Sequence, residues 1–139
     1  MALHALHQYP SASELPRWLL TGMLSGAVSV LVFEQAALRL LGLLGLGHVL
    51  LLWPLVVWGG AWGVLLAAAL GRLSGKRLIL AAAALGATVP TLVALVLVAP
   101  LHGQPVVTGV VPLAILVAGV VNGAWGLGTG TGLALFGRR

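Results

Sequence analysis

Four stretches of this chain run without interruption through apolar residues: Trp18–Leu38, Val49–Leu70, Leu78–Ala99 and about Val110–Leu133. Glu34 is the only charged residue within them. Each stretch is about 20–24 residues long, and ~20 residues at 1.5 Å rise cross the ~30 Å hydrocarbon layer of a bilayer. Lipid offers the backbone no hydrogen-bond partner, so a spanning segment is either a helix or a strand of a closed barrel. A barrel needs strands of ~9–11 residues alternating polar with apolar, and that alternation is absent. The predicted fold class is therefore all-α membrane, with four transmembrane helices. Composition agrees: 6% of the 139 residues are charged, against roughly 25% in a soluble domain whose surface must face water.

The few charges set an orientation. Arg17 precedes the first span, Arg72, Lys76 and Arg77 lie between the second and third, and Arg138 and Arg139 follow the fourth, whereas Arg39 alone follows the first. Basic residues gather on the cytoplasmic side, so both termini and the middle loop are expected there, in a bacterial inner membrane or a comparable one. The net charge of +5 comes from these span-end residues and not from a basic stripe with interleaved aromatics, so nucleic acid is not an expected partner. With no cysteine, disulfides and thiolate chemistry are excluded. Residues 1–16 read as a cytoplasmic tail. Within it Ser11 and Glu14 have capping-box spacing and Pro16 suits a first helical turn, so helix 1 is expected to begin ahead of the bilayer. A signal peptide over residues 1–38 is disfavoured, because no small-x-small cleavage site follows Phe33.

Residues 17–139 read as one domain made of two hairpins in tandem, about 17–72 and 77–138. Arg17-Trp18-Leu19-Leu20 opens the first and Arg77-Leu78-Ile79-Leu80 the second. Gly26-Ala27 recurs as Gly86-Ala87, Gly60-Ala61-Trp62-Gly63 as Gly123-Ala124-Trp125-Gly126, and Gly71-Arg72 as Gly137-Arg138. A repeated unit of two spans keeps its orientation, which implies a pseudo-two-fold axis along the membrane normal. The segments Gly26-Ala-Val-Ser-Val-Leu-Val-Phe, Trp58-Gly-Gly-Ala-Trp-Gly and Asn122-Gly-Ala-Trp-Gly resemble a group of small four-span proteobacterial inner-membrane proteins without an established activity. That group often has a longer loop between helices 1 and 2 and a histidine where this chain has Glu34. The resemblance implies location and fold, and no chemistry.

Small residues four apart place Gly22 and Gly26, with Ser25 and Ser29, along helix 1, Gly59 and Gly63 on helix 2, and Gly119 and Gly123, with Gly126 and Gly130, along helix 4. Gly60 belongs to the same pattern. Such faces let helix backbones approach closely. They are expected to pack the bundle itself, and any left over would dock another membrane subunit. Trp18 and Trp53 lie near span ends, where an indole prefers the interface. Trp58, Trp62 and Trp125 lie deeper and are expected in the core; Trp58 and Trp62 share a face that could instead wall a lipid tail, quinone or pigment.

Glu34, Arg39, His48 and His102 gather toward the non-cytoplasmic side. Glu34 lies about 17 residues into the first span, ~25 Å along it, so it is expected near the outer interface, reaching water or Arg39, with the histidines wet at the loops. Asn122 falls near the middle of helix 4, where a lone amide is expected to bond a neighbouring helix. His4 and His7 are read as part of a solvated tail. No metal site, cofactor or catalytic residue is expected, since two acids in the whole chain leave little for general acid–base chemistry. The leading functional expectation is a non-catalytic accessory or scaffolding subunit of a larger inner-membrane complex, with other integral membrane subunits and lipids as partners. The alternative is a small oligomeric transporter or channel using Glu34 and Asn122, followed by a lipid, quinone or pigment binder along Trp58 and Trp62.

Overall fold

The computed structural model describes residues 8–45, 52–101, 103 and 111–137. Four helices are long and apolar enough to cross a membrane. Helix α1 is Leu15–Leu43, with a π-helical turn at Val30–Glu34. Helix α2 is Leu52–Leu70. Helix α3 starts as Gly75–Val93 and runs on through a π turn, Ala94–Val98, to Leu101. Helix α4 is Val111–Phe136. Ahead of α1, Ser11 N–H and Oγ donate to the Glu14 carboxylate at 3.0 and 2.7 Å, one half of a capping box, and Pro16 sits in the first turn. The 29 residues of α1 are about 43 Å long at 1.5 Å per residue, more than the hydrocarbon layer, so α1 begins before the bilayer and runs five residues past the predicted end at Leu38. His4, His7, His48, His102, Arg138 and Arg139 lie outside the described residues, as do the predicted starts of helices 2 and 4 at Val49 and Val110.

Packing follows the small residues. A methyl group added at Gly26 would overlap the Gly59 carbonyl and press on the Gly63 backbone, and one at Gly22 would overlap Gly63 and Ala67. The partners descend as the α1 residue rises, so α1 and α2 lie antiparallel with their backbones touching. Between α3 and α4 the same holds: a methyl at Gly86 would meet Asn122 and Gly126 backbone atoms, and one at Gly130 would meet Ala82 and Ile79. The two pairs join mainly through α1 and α4, while α2 and α3 are in much sparser contact across from them. Gly128 accommodates Phe33 and Ser29, Gly132 accommodates Ser25, and Gly137 accommodates the Trp18 ring.

Hydropathy tracks lipid exposure, the reverse of a soluble fold. The third span has the highest mean hydropathy, 2.2, and the least buried window, 17%, whereas the first has 1.5 and 39%. Helix α3 presents itself to lipid, and α1, touching both α2 and α4, can carry polar residues inward.

Trp18 departs from the sequence reading. It is 1% exposed, and its Nε1 donates to the Ala67 carbonyl at 2.6 Å, so it anchors the α1–α2 contact instead of floating at the interface. Nearby, Tyr9 Oη donates to the Ala68 carbonyl at 2.9 Å, which lays the tail across the end of α2. Arg17, Arg72, Lys76 and Arg77 are all at this end of the bundle, and Arg39 is exposed toward the other.

Candidate functional site: a buried polar level

Glu34 is less exposed than its sequence position suggested. It is buried, 8% exposed, while Arg39 is exposed on the outer part of the same helix. The contacts fix its depth. Gly26 lies beside Gly59 and Trp125, Ser29 beside Gly128, and Ala37 and Leu38 beside Val121. Glu34 is therefore level with the stretch of α4 between Val121 and Trp125 and, eight residues beyond Gly26, with the start of the α2 span near Trp53. Its place along α1, ~24 Å beyond Trp18, is the one the sequence implies; what differs is its burial, because the π turn re-aims the side chain.

That re-aiming is geometric. On a regular α-helix, five residues turn the chain through roughly 500°, which would leave Glu34 about 140° from the Ser29 face. Here Gln35 N–H bonds the Val30 carbonyl, five residues back. The wider turn swings Glu34 back above Ser29 and Val30, which are 2% and 1% exposed. Such turns are rare and recur at functional positions.

Three more polar side chains share the level. Gln35 is 7% exposed, and its Nε2 is buried without a hydrogen-bond partner. Asn122 Nδ2 donates to Thr91 Oγ1 at 2.9 Å, tying α4 to α3, and Thr91 is 3% exposed. Since Asn122 also lies against Gly86, the pair sits at the height of the Glu34 turn. Below it, Trp125 Nε1 donates to the Gly26 carbonyl at 2.9 Å, and Thr129 Oγ1 donates to the Trp125 carbonyl at 2.9 Å. Sequence reasoning found Glu34 and Asn122 but missed Gln35 and Thr91, which only the packing distinguishes from other uncharged polar residues in spans. Among the described residues no group of three or more acids, histidines or cysteines could hold a metal ion.

The tryptophans divide differently from the sequence reading. Trp58 is 64% exposed to lipid and is not in the core. Trp62 and Trp125 line a crevice of about 170 Å³ between α2 and α3, with Leu65, Leu85, Val89 and Pro90 among its walls. Trp58 is not among the residues that line this crevice.

Of the predicted packing glycines, Gly22, Gly26, Gly59, Gly63 and Gly126 are in close backbone contact. Gly123 is looser, with a Cβ there 3.3 Å from Ala87 Cβ. Gly60 and Gly119 are open enough for a methyl group, with nearest atoms at 3.5 and 3.8 Å. Gly130, also predicted, lies close against Ala82 and Ile79, whereas Gly86, Gly128 and Gly132 are close contacts outside the predicted set; for Gly86 the repeat, which pairs it with Gly26, was the available signal. Compared with protein-family models, curated proteins and solved structures, the chain finds no match.

Proposed function

We propose that the chain is a small transport unit of a bacterial inner membrane, holding an ion or proton at the Glu34 level within the first span. The observation that carries this reading is the joint burial of Glu34 and Gln35, the latter with an unpartnered amide nitrogen, level with the Asn122–Thr91 bond. Burying an ionisable side chain within a span is costly, and such residues mark ion or proton paths. The π turn that directs Glu34 inward supports it further.

The architecture that goes with this reading is two tandem hairpins with both termini in the cytoplasm. Its support is the matching of contacts at the repeat spacing. Gly26 meets Gly59 and Gly63 as Gly86 meets Asn122 and Gly126, and Gly22 meets Ala67 as Ala82 meets Gly130. Reporter fusions after Arg72 and at the C-terminus are expected to report cytoplasm, and one near Gly103 the far side. A far-side C-terminus would refute the four-span topology.

A second reading, a non-catalytic accessory subunit, draws on a lipid-facing groove of about 500 Å³ along the outer halves of α1 and α4, lined by Phe33, Ala36, Ala37, Leu40, Val120 and Ala124. Small residues on its floor suit a neighbouring helix. It no longer draws on the glycines, most of which pack within the chain. Reconstitution of the purified protein, beside mild-detergent purification from native membranes, separates the two. The transport reading expects flux that Glu34→Gln abolishes. A stoichiometric membrane partner without flux would favour the accessory subunit.

A further inference from the structure

We propose that the species handled at the Glu34 level is the proton, relayed toward the cytoplasmic end along Ser29 and Ser25. This rests on the transport reading above and names its substrate.

A metal cation wants a shell of oxygens, six or more for the common hard ions. The level does not offer one. Asn122 turns its amide nitrogen onto Thr91 Oγ1, and Gln35 contributes a buried N–H donor that nothing accepts. Donors repel a cation but suit a carboxylate oxygen or a water molecule, and buried polar groups of this kind are commonly satisfied by water. Beside the neutral carboxamide oxygens of Gln35 and Asn122, Glu34 is the one acidic acceptor at that level among the described residues.

Its electrostatic surroundings are simple. Among the described residues α2 and α4 contribute no titratable side chain; Lys76 and Arg77 of α3 and Arg17 of α1 lie at the opposite end of the bundle, and Arg39 on the outer part of α1 is exposed. No neighbouring charge at that level competes for the proton or substitutes for the carboxylate.

The relay follows from the π turn. With Glu34 swung above Ser29, the residues Thr21, Ser25, Ser29 and Glu34 form one stripe down α1, spaced four, four and five apart. Ser29 and Ser25 turn their hydroxyls toward α4 at Gly128 and Gly132, with the Phe33 ring beside Ser29 at the former. A hydroxyl both donates and accepts, so it can pass a proton through water between successive turns, about 5.4 Å apart. In the transfer itself, hydronium gives a proton to a Glu34 oxygen and becomes water. On release that O–H bond breaks, the proton passes to the next water or hydroxyl, and the carboxylate is restored without any change in oxidation state.

The test uses the full chain in phosphatidylethanolamine–phosphatidylglycerol liposomes under a potassium diffusion potential. An internal pH dye reads proton entry, and tracer sodium and rubidium read metal-cation entry. Wild type is expected to carry protons and neither metal. Glu34→Gln is expected to lower the proton rate at least tenfold, Glu34→Asp to retain part of it, and Ser25→Ala with Ser29→Ala to lower it several-fold, each variant checked for helicity and monodispersity. Val96→Leu, on the lipid face, is the control. Sodium or rubidium flux that needs Glu34, without proton flux, would overturn the proton assignment and leave transport standing. Wild-type proton flux in the serine double variant would overturn the relay, and no flux of any species would overturn both readings.

Discussion

Under the proposed tandem repeat, the dense contact between α1 and α4 and the sparse one between α2 and α3 fall at equivalent places, with different residues. At the repeat spacing Ser25 and Ser29 of α1 correspond to Leu85 and Val89 of α3, and Gly128 and Gly132 of α4 correspond to Leu65 and Ala69 of α2. On the first side the pairs are serine against glycine: Ser29 with Gly128 and Ser25 with Gly132 in close approach. On the second the equivalent positions, Val89, Leu65, Leu85 and Ala69, are walls of the crevice. Bulk at these positions holds α2 and α3 apart where α1 and α4 close. The tryptophans repeat the lesson: Trp125 reaches across the closed side to the Gly26 carbonyl, and its counterpart Trp62 lines the open one. In lipid, where no water-driven force pulls helices together, close approach depends on what small residues permit. The polar level is one-sided for the same reason, since Glu34 and Gln35 correspond to Ala94 and Leu95, and Asn122 to Gly59.

The sharpest way to break the comparison is to give the closed side the open side's residues. Gly128→Leu with Gly132→Ala should wedge α1 from α4, costing about 1–3 kcal/mol per overpacked position, and lower the melting temperature in detergent. Thermal unfolding followed by circular dichroism checks this, and a melting temperature equal to wild type would show that the seam is not close-packed. Gly26→Leu and Gly126→Leu should each disrupt the hairpin contacts to a similar degree.

A smaller effect is expected at the tryptophans. Trp125→Phe removes one hydrogen bond to a buried carbonyl and should destabilise by about 1 kcal/mol. Trp62→Phe should change stability by less. Equal losses would mean that the two indoles are equivalently packed. Smallest of all, Leu85→Ala trims a crevice wall and should fall below the roughly 2–5 kcal/mol of a fully packed Leu→Ala change, as detergent melting can show.

How much of this could be seen in the sequence depends on what enforces it. The four spans were legible because lipid tolerates only helices of that length and composition, and Glu34 was the single charge among them. Gly22, Gly26, Gly59, Gly63 and Gly126 were legible from the spacing of small residues. Helix α4 was harder: with Gly119, Gly123, Gly126, Gly128, Gly130 and Gly132 it offers small residues on every face, and only its neighbours decide which are used. The burial of Glu34 was not legible, because a π turn is a shift in hydrogen bonding that Val30–Glu34 does not advertise in its residue types. Trp18 misled for a related reason. An indole near a span end prefers the interface until a carbonyl such as that of Ala67 comes within reach.

The chain has no cysteine, so cysteine pairs measure the two seams directly in native membranes. Ser25→Cys with Gly132→Cys should form a disulfide readily under mild oxidation, across the side where those residues touch. Leu85→Cys with Ala69→Cys, the equivalent pair, should stay reduced and link only through a longer bifunctional reagent. Disulfide formation at equal rates in both pairs would contradict the account, because it would mean that the bundle is symmetric and that the residues at its two seams do not set how closely the helices approach.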